Sequence, residues 1–260
     1  MTDFPTDLRR YVAIGDSFTE GMVDENPSDP GSYIGWADRL AARLAVDTPG
    51  FGYANLAIRG RLLADVVGPQ LDAALALEPD LVSIVGGGND ILRPKADLDA
   101  IADSLEDAVA RLRGAGVTVL MATMGDPVGA PVLRRLRGRI AVHNANVFGI
   151  AQRQGALVVD LWGLRALRDA RMWGTDRIHL STEGHERVAA QAYWALGHRD
   201  TDRDWAEELP PAPPLGRREA LAGHAAWAKE YAAPWVLRRI QGTSSGDSIS
   251  AKRPEVEPLD

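Results

Sequence analysis

Tyr11-Val12-Ala13-Ile14-Gly15-Asp16-Ser17-Phe18-Thr19-Glu20-Gly21 is the stretch on which the fold turns. Its first four residues are apolar or β-branched and read as a buried strand. The strand runs directly into Gly15-Asp16-Ser17. A small residue, an acid and a hydroxyl make poor core material, and in an open α/β sheet the C-terminal edge of the strands is where ligands bind. Ser17 then sits at the mouth of the sheet, near backbone N–H groups that favour a developing negative charge. The same residues also fit a plain helix N-cap after a tight turn. The rest of the chain has to decide between the two.

Outward from this strand, apolar runs alternate with helical patterns. A polar loop, Asp24 to Gly31, leads to a helical pattern over Ser32–Val46 with Ile34, Ala37, Leu40, Ala41 and Leu44 on one face. Gly52–Leu56 reads as a strand, followed by a helix to about Leu77. Leu81–Val85 is a clear buried strand that ends in Gly86-Gly87-Gly88-Asn89-Asp90. A helix over Asp97–Arg113 is stopped by Gly114-Ala115-Gly116. Val117–Met121 is the fourth strand, Pro131–Gln154 a basic helix, Ala156–Asp160 the fifth strand and Thr182–Leu196 the last helix. This alternation predicts a three-layer α/β/α sandwich with a five-stranded parallel sheet of flavodoxin-like type.

Residues 1–197 would form this domain. Residues 198–240 would add a Pro-rich linker, Leu209–Pro214, and a helical extension carrying Trp227, Tyr231, Trp235, Val236, Leu237 and Ile240 that packs back on the domain. The Ser-, Gly-, Pro- and charge-rich residues 241–260 are expected to be disordered. Their removal would then leave stability and activity unchanged.

Bulk properties exclude several functions. The 260-residue chain has 45% hydrophobic and 25% charged residues, ordinary for a soluble globular protein. A formal net charge of −7 argues against a nucleic-acid partner. With no cysteine, disulfides, thiolate metal sites and thiol nucleophiles are ruled out. The N-terminal residues lack an apolar signal region and no apolar run approaches a membrane span, so a cytoplasmic location is the default expectation. The sequence does not fix an oligomeric state. His143, His185, His198 and His224 are scattered, are expected on the surface and offer no metal cluster. Arg134-Arg135-Leu136-Arg137-Gly138-Arg139 reads as a solvated helix face.

A second stretch supplies what a serine at a strand end requires. In Asp176-Arg177-Ile178-His179 the acid and the histidine stand three residues apart, on one face of a turn. Asp176 can accept the Nδ1–H of His179 and leave Nε2 as a general base. Ser17 would be the nucleophile that needs it. Asp-x-x-His is also common ahead of an ordinary capped helix. Gly60, after the second strand, and Asn89, after the third, lie at the same sheet edge and can supply oxyanion donors. A plain turn at Gly60 and a cap at Asn89 are the alternatives.

Four blocks now carry a family resemblance. Gly15-Asp16-Ser17-Phe18-Thr19-Glu20-Gly21 resembles the first block of the GDSL/SGNH hydrolases, with Phe18 where Leu is often found. Asn55-Leu56-Ala57-Ile58-Arg59-Gly60 is similar to the second block, Gly86-Gly87-Gly88-Asn89-Asp90 to the third and Asp176-Arg177-Ile178-His179 to the last. The blocks occur in the family's order, from about Tyr11 to Leu196. The resemblance implies a serine ester hydrolase with Ser17, Asp176 and His179 as catalytic residues and Ser17, Gly60 and Asn89 around the oxyanion. It implies no cofactor, no metal and a small-molecule ester as substrate, here expected to carry a short acyl chain. An acyltransferase or carbohydrate deacetylase would use the same triad, and a non-catalytic binding protein is the reading from another class. A larger α/β-hydrolase is disfavoured because Thr19 stands where its nucleophile elbow needs glycine.

Overall fold

A computed structural model describes residues 7–46, 48–130, 133–199, 202–213, 216–234 and 245–259. The centre of the molecule is a six-stranded sheet. Its strands are β1 (Arg10–Gly15), β2 (Gly52–Asn55), β3 (Leu81–Val85), β4 (Thr118–Ala122), β5 (Leu157–Val159) and β6 (Arg253–Pro258), in the order β5-β4-β3-β1-β2-β6. The first five are parallel, with Tyr11 opposite both Leu81 and Tyr53. The chain leaves β1 toward β2 and then crosses to β3 on the other side. This makes the C-terminal end of β1 a topological switch point, where an open α/β sheet forms its crevice.

Alternation along each strand builds two cores, one on each face of the sheet. Tyr11 and Ala13 face a layer with Trp36, Leu40, Leu44, Val188 and Ala192. Val12 and Ile14 face the opposite layer with Leu71, Leu105, Val109, Leu112 and Val147. The first layer comes from α2 (Trp36–Ala45) and α8 (Thr182–Ala195). The second comes from α4 (Leu71–Ala76), α6 (Leu98–Gly114) and α7 (Arg137–Gln154). Sequence-encoded caps set the helix starts. Asp97 accepts from the N–H groups of Asp99 and Ala100 to open α6, and Ser181 accepts from Gly184 to open α8. Short helices α1 (Ser17–Glu20), α3 (Leu63–Asp65) and α5 (Gly88–Ile91) stand at the C-terminal ends of the strands. Between α3 and α4 the chain makes a wide π-turn, Val66–Gln70, that contains Pro69.

The structure corrects three expectations. The sheet has six strands, and the sixth comes from the tail expected to be disordered. The strand Arg253-Pro254-Glu255-Val256-Glu257-Pro258 runs antiparallel to β2, pairing Tyr53 with Glu257 and Asn55 with Arg253 across a bulge. Two prolines and three charges disguise it, but an edge strand tolerates proline because one row of its N–H groups needs no partner. Val256 packs on the second core and the Arg253 guanidinium lies 5.7 Å from the centre of the Tyr53 ring. Second, the expected helix 131–154 begins only at Arg137, after a 3-10 turn over Leu133–Leu136. Third, His143 and His185 are buried rather than exposed. Burial pushes their pKa values down to about 4 and about 3, so both are neutral. His185 Nδ1 accepts the backbone N–H of Trp36 at 3.1 Å. His198 stacks on Tyr193 at 3.8 Å between ring centres.

A ninth helix, α9 (Arg217–Trp227), continues into a π-turn, Ala228–Ala232. Trp235, Val236, Leu237 and Ile240 lie outside the described residues.

Candidate active site

The turn after β1 is held in place by buried polar side chains. A Cβ on Gly15 would meet Val85 O at 2.7 Å and Thr19 Oγ1 at 2.6 Å, so only glycine lets β1 pass so close to the end of β3. Gln70 clamps the same residue with both ends of its amide. Its Oε1 accepts the Gly15 N–H at 2.8 Å and its Nε2 donates to the Gly15 carbonyl at 3.0 Å. Asp16 caps α1 by accepting the Phe18 N–H at 3.1 Å. Ser17 is thereby presented at the first helical position, at the switch point of the sheet.

His179 reaches Ser17 from the far side of the chain. The His179 Nε2 lies 2.8 Å from Ser17 Oγ, and its Nδ1 lies 2.5 Å from Asp176 Oδ2. The other carboxylate oxygen of Asp176 accepts the N–H groups of Ile178 and His179, each at 3.0 Å. Burial works to raise the Asp176 carboxyl, but the hydrogen bond from His179, its charge and these N–H groups outweigh it and hold the carboxyl below its usual value. An ionised Asp176 fixes the tautomer with hydrogen on Nδ1, which leaves Nε2 as an acceptor facing the serine hydroxyl.

Gly60 and Asn89 follow β2 and β3 at the same sheet edge. Gly60 sits in the left-handed region at φ 75°. Its predecessor Arg59 is fixed from below: Glu20 Oε2 accepts the Arg59 N–H at 2.6 Å, and the Glu20 carboxylate pairs with the Arg59 guanidinium. Asn55 bridges the same two segments, donating to Thr19 O at 3.0 Å and accepting the Ala57 N–H at 3.1 Å. The Asn89 amide donates to Asp16 Oδ2 at 3.2 Å and to Arg61 O at 3.0 Å. Asp90 Oδ2 accepts the Leu63 N–H at 2.9 Å and so ties α5 to α3. Burial raises the Asp16 pKa to about 6, against the Phe18 N–H and the nearby His179, which lower it.

Sequence reasoning missed Gln70, Glu20 and Asp16 as supports of this site. The signal available was a buried acid, Glu20, three residues after the serine: an acid there needs a cation within reach, and Arg59 is next to Gly60. Of the basic stretch 134–139, Arg134 and Arg135 are exposed, while Arg137 binds Asp126 at 2.7 Å and Arg139 donates to Ala96 O at 2.9 Å. Among the described residues no group of three or more His, Asp or Glu side chains is arranged to hold a metal ion. No helix among them is long and apolar enough to cross a membrane.

Known proteins share this architecture. The model of the GDSL-like Lipase/Acylhydrolase family matches residues 13–187. A comparison with the curated proteins found no match. Among solved structures, TesA is similar at 25% identity and TM-score 0.59, over 72% of this chain and 98% of its own. Axe2, an acetylxylan esterase from Geobacillus stearothermophilus, is similar at 22% identity and TM-score 0.59, over 76% of this chain and 95% of its own. LAE5, an α/β hydrolase enzyme from the metagenome of Lake Arreo, Spain, is similar at 22% identity and TM-score 0.60, over 73% of this chain and 96% of its own. With more than half of its length matched by the family model, the chain belongs to the GDSL-like lipase/acylhydrolase family and is a carboxylic ester hydrolase.

Proposed function

We propose that the protein hydrolyses carboxylic esters of short acyl chains through an acyl-enzyme on Ser17. The observation that carries this reading is the continuous hydrogen-bonded relay from Ser17 Oγ to His179 Nε2 at 2.8 Å and from His179 Nδ1 to Asp176 Oδ2 at 2.5 Å. A serine hydroxyl is a weak nucleophile at neutral pH, and a base within hydrogen-bond reach is what activates it. His179 takes the hydroxyl proton as Oγ attacks the ester carbonyl. The imidazolium that forms is stabilised by Asp176. The negative charge on the carbonyl oxygen is met by the N–H groups of Ser17 and Gly60 and by the Asn89 amide, one of whose two N–H groups turns to it from Asp16 Oδ2 or Arg61 O. One such donor is typically worth about 2.7–4 kcal/mol in the transition state. His179 then protonates the leaving alcohol. A water, deprotonated by the same nitrogen, attacks the acyl-enzyme and frees the acid.

The preference for short acyl groups is supported by the segments that flank the site. Asn26 and Asp29 on one loop and Arg134 and Arg135 on the other are polar or charged and at least partly exposed, where a lipid chain needs apolar wall, while Asp24 and Asp126 are buried in ion pairs with Arg39 and Arg137. Hydrolysis of a p-nitrophenyl ester series by wild type and by Ser17→Ala tests both parts. The expected result is turnover that falls with chain length beyond butyrate and disappears in the variant. Turnover of long-chain esters above acetate and butyrate contradicts the acyl preference, and turnover that survives in Ser17→Ala contradicts the mechanism.

A further inference from the structure

Helix α9 lies beyond the residues matched by the family model, yet it touches the loop that carries Asp176 and His179. Three consecutive loop residues meet it or its continuation. The Thr175 hydroxyl lies 3.0 Å from the Tyr231 hydroxyl. The Trp227 indole N–H donates to the Asp176 carbonyl at 2.7 Å. Arg177 donates to Gly223 O at 3.3 Å, and its guanidinium stands 5.4 Å from the centre of the Trp227 ring. Arg177 also holds a left-handed backbone at φ 59°, a conformation that a side chain with a Cβ rarely adopts unless its surroundings enforce it.

We propose that α9 is a strap on the Asp176–His179 loop and that Trp227 is a positioning residue for the acid–base pair, an inference that rests on the catalytic reading of those two residues. Trp227 fixes the peptide plane between Asp176 and Arg177 from outside. From inside, the N–H groups of Ile178 and His179 fix one oxygen of the Asp176 carboxylate. Held from both sides, the remaining oxygen is aimed at His179 Nδ1. Without the indole hydrogen bond, Arg177 can relax out of its left-handed conformation and the carboxylate turns away from the imidazole. The pair then loses its single tautomer while Ser17, Gly60 and Asn89 keep their places.

The test uses full-length protein with Trp227→Phe, which keeps the ring beside Arg177 and removes the N–H, and with Lys229→Ala, an exposed change on the same segment, as control. The ring nitrogens of His179, assigned with a His179→Gln variant, report the tautomer through their 15N chemical shifts. In Trp227→Phe these shifts are expected to move toward the average of the two tautomers. On p-nitrophenyl acetate kcat is expected to fall about tenfold with KM within about twofold of wild type, the pattern of a misaimed catalytic group. Lys229→Ala is expected to match wild type in both. Wild-type 15N shifts and kcat in Trp227→Phe overturn the proposal, even if the melting temperature falls, because α9 is then only a structural cover. If the wild type turns over no ester, the hydrolase reading fails on its own, and the 15N shifts alone decide whether Trp227 positions the pair.

Discussion

Glu20 and Arg59 join the two backbone turns of the site. The Glu20 carboxylate accepts the Arg59 backbone N–H at 2.6 Å and also pairs with its guanidinium, so the helix that begins with Ser17 and the turn that ends with Gly60 share one buried anchor. Glu20 is 5% exposed. A buried carboxylate in that position is tolerable only because a cation and an N–H meet it.

Replacing Glu20 with Gln keeps the shape and one acceptor but removes the Glu20 charge from beside Arg59. Stability is expected to drop by about 1–3 kcal/mol in urea unfolding. The rate on p-nitrophenyl acetate is expected to fall as the Gly60 turn loosens. Unchanged stability would show that solvent screens the Arg59 charge without help from Glu20.

Asp16 gives a pH signature. Burial raises its pKa in the fold to about 6, above the usual carboxylate value of 3.8. Between these two pH values the folded state binds the proton more tightly than the unfolded chain does. Stability from this group is therefore full below pH 3.8 and declines as the pH rises toward 6, by about 3 kcal/mol in total. Asp16→Asn removes the titration. The variant is expected to lose this decline from its pH–stability curve, and also to lose rate, because the Asn89 amide donates to Asp16 Oδ2. A curve identical to wild type would mean that Asp16 does not titrate in that range.

The C-terminal tail carries its own prediction. Lys252 Nζ donates to Glu20 O at 2.6 Å, Tyr33 O at 2.9 Å and Asp38 Oδ2 at 2.6 Å, which binds the tail to the end of the Ser17 helix. Lys252→Met removes all three bonds, leaving Asp38 Oδ2 with only the Gly35 N–H at 2.7 Å, and is expected to cost about 1–3 kcal/mol. Deleting residues 245–260 is expected to cost more, because β6 is lost with it. Wild-type melting temperatures for both would support the disordered tail that composition suggests.

The fold was legible wherever the information is local. Each parallel strand is a short apolar run ended by glycine or a polar turn, and the blocks around Ser17, Gly60, Asn89 and His179 each fit within a few residues. The tail strand was not legible, because its register comes from the unpaired edge of β2 some 200 residues earlier and not from its own propensity. The buried histidines were hidden for a related reason. His185 sits on a face of α8 made mostly of small residues, and its partners are distant in sequence, with the Phe18 ring 6.4 Å away and the Trp36 backbone N–H on its Nδ1. Gln70 reads as a surface residue beside Pro69. It is the π-turn that swings its amide onto the Gly15 backbone. The tail's Trp227 and Tyr231 read as a stripe that wants cover, but nothing local says which surface supplies it.

Covalent trapping at the nucleophile tests the central claim most directly. The full-length protein would be treated with a fluorophosphonate, weighed intact and mapped by peptide mass, beside Ser17→Ala and His179→Ala. A single adduct on the peptide containing Ser17 is predicted, absent from Ser17→Ala and strongly slowed in His179→Ala. A wild-type protein that takes no label, or takes it on another residue, would contradict the account.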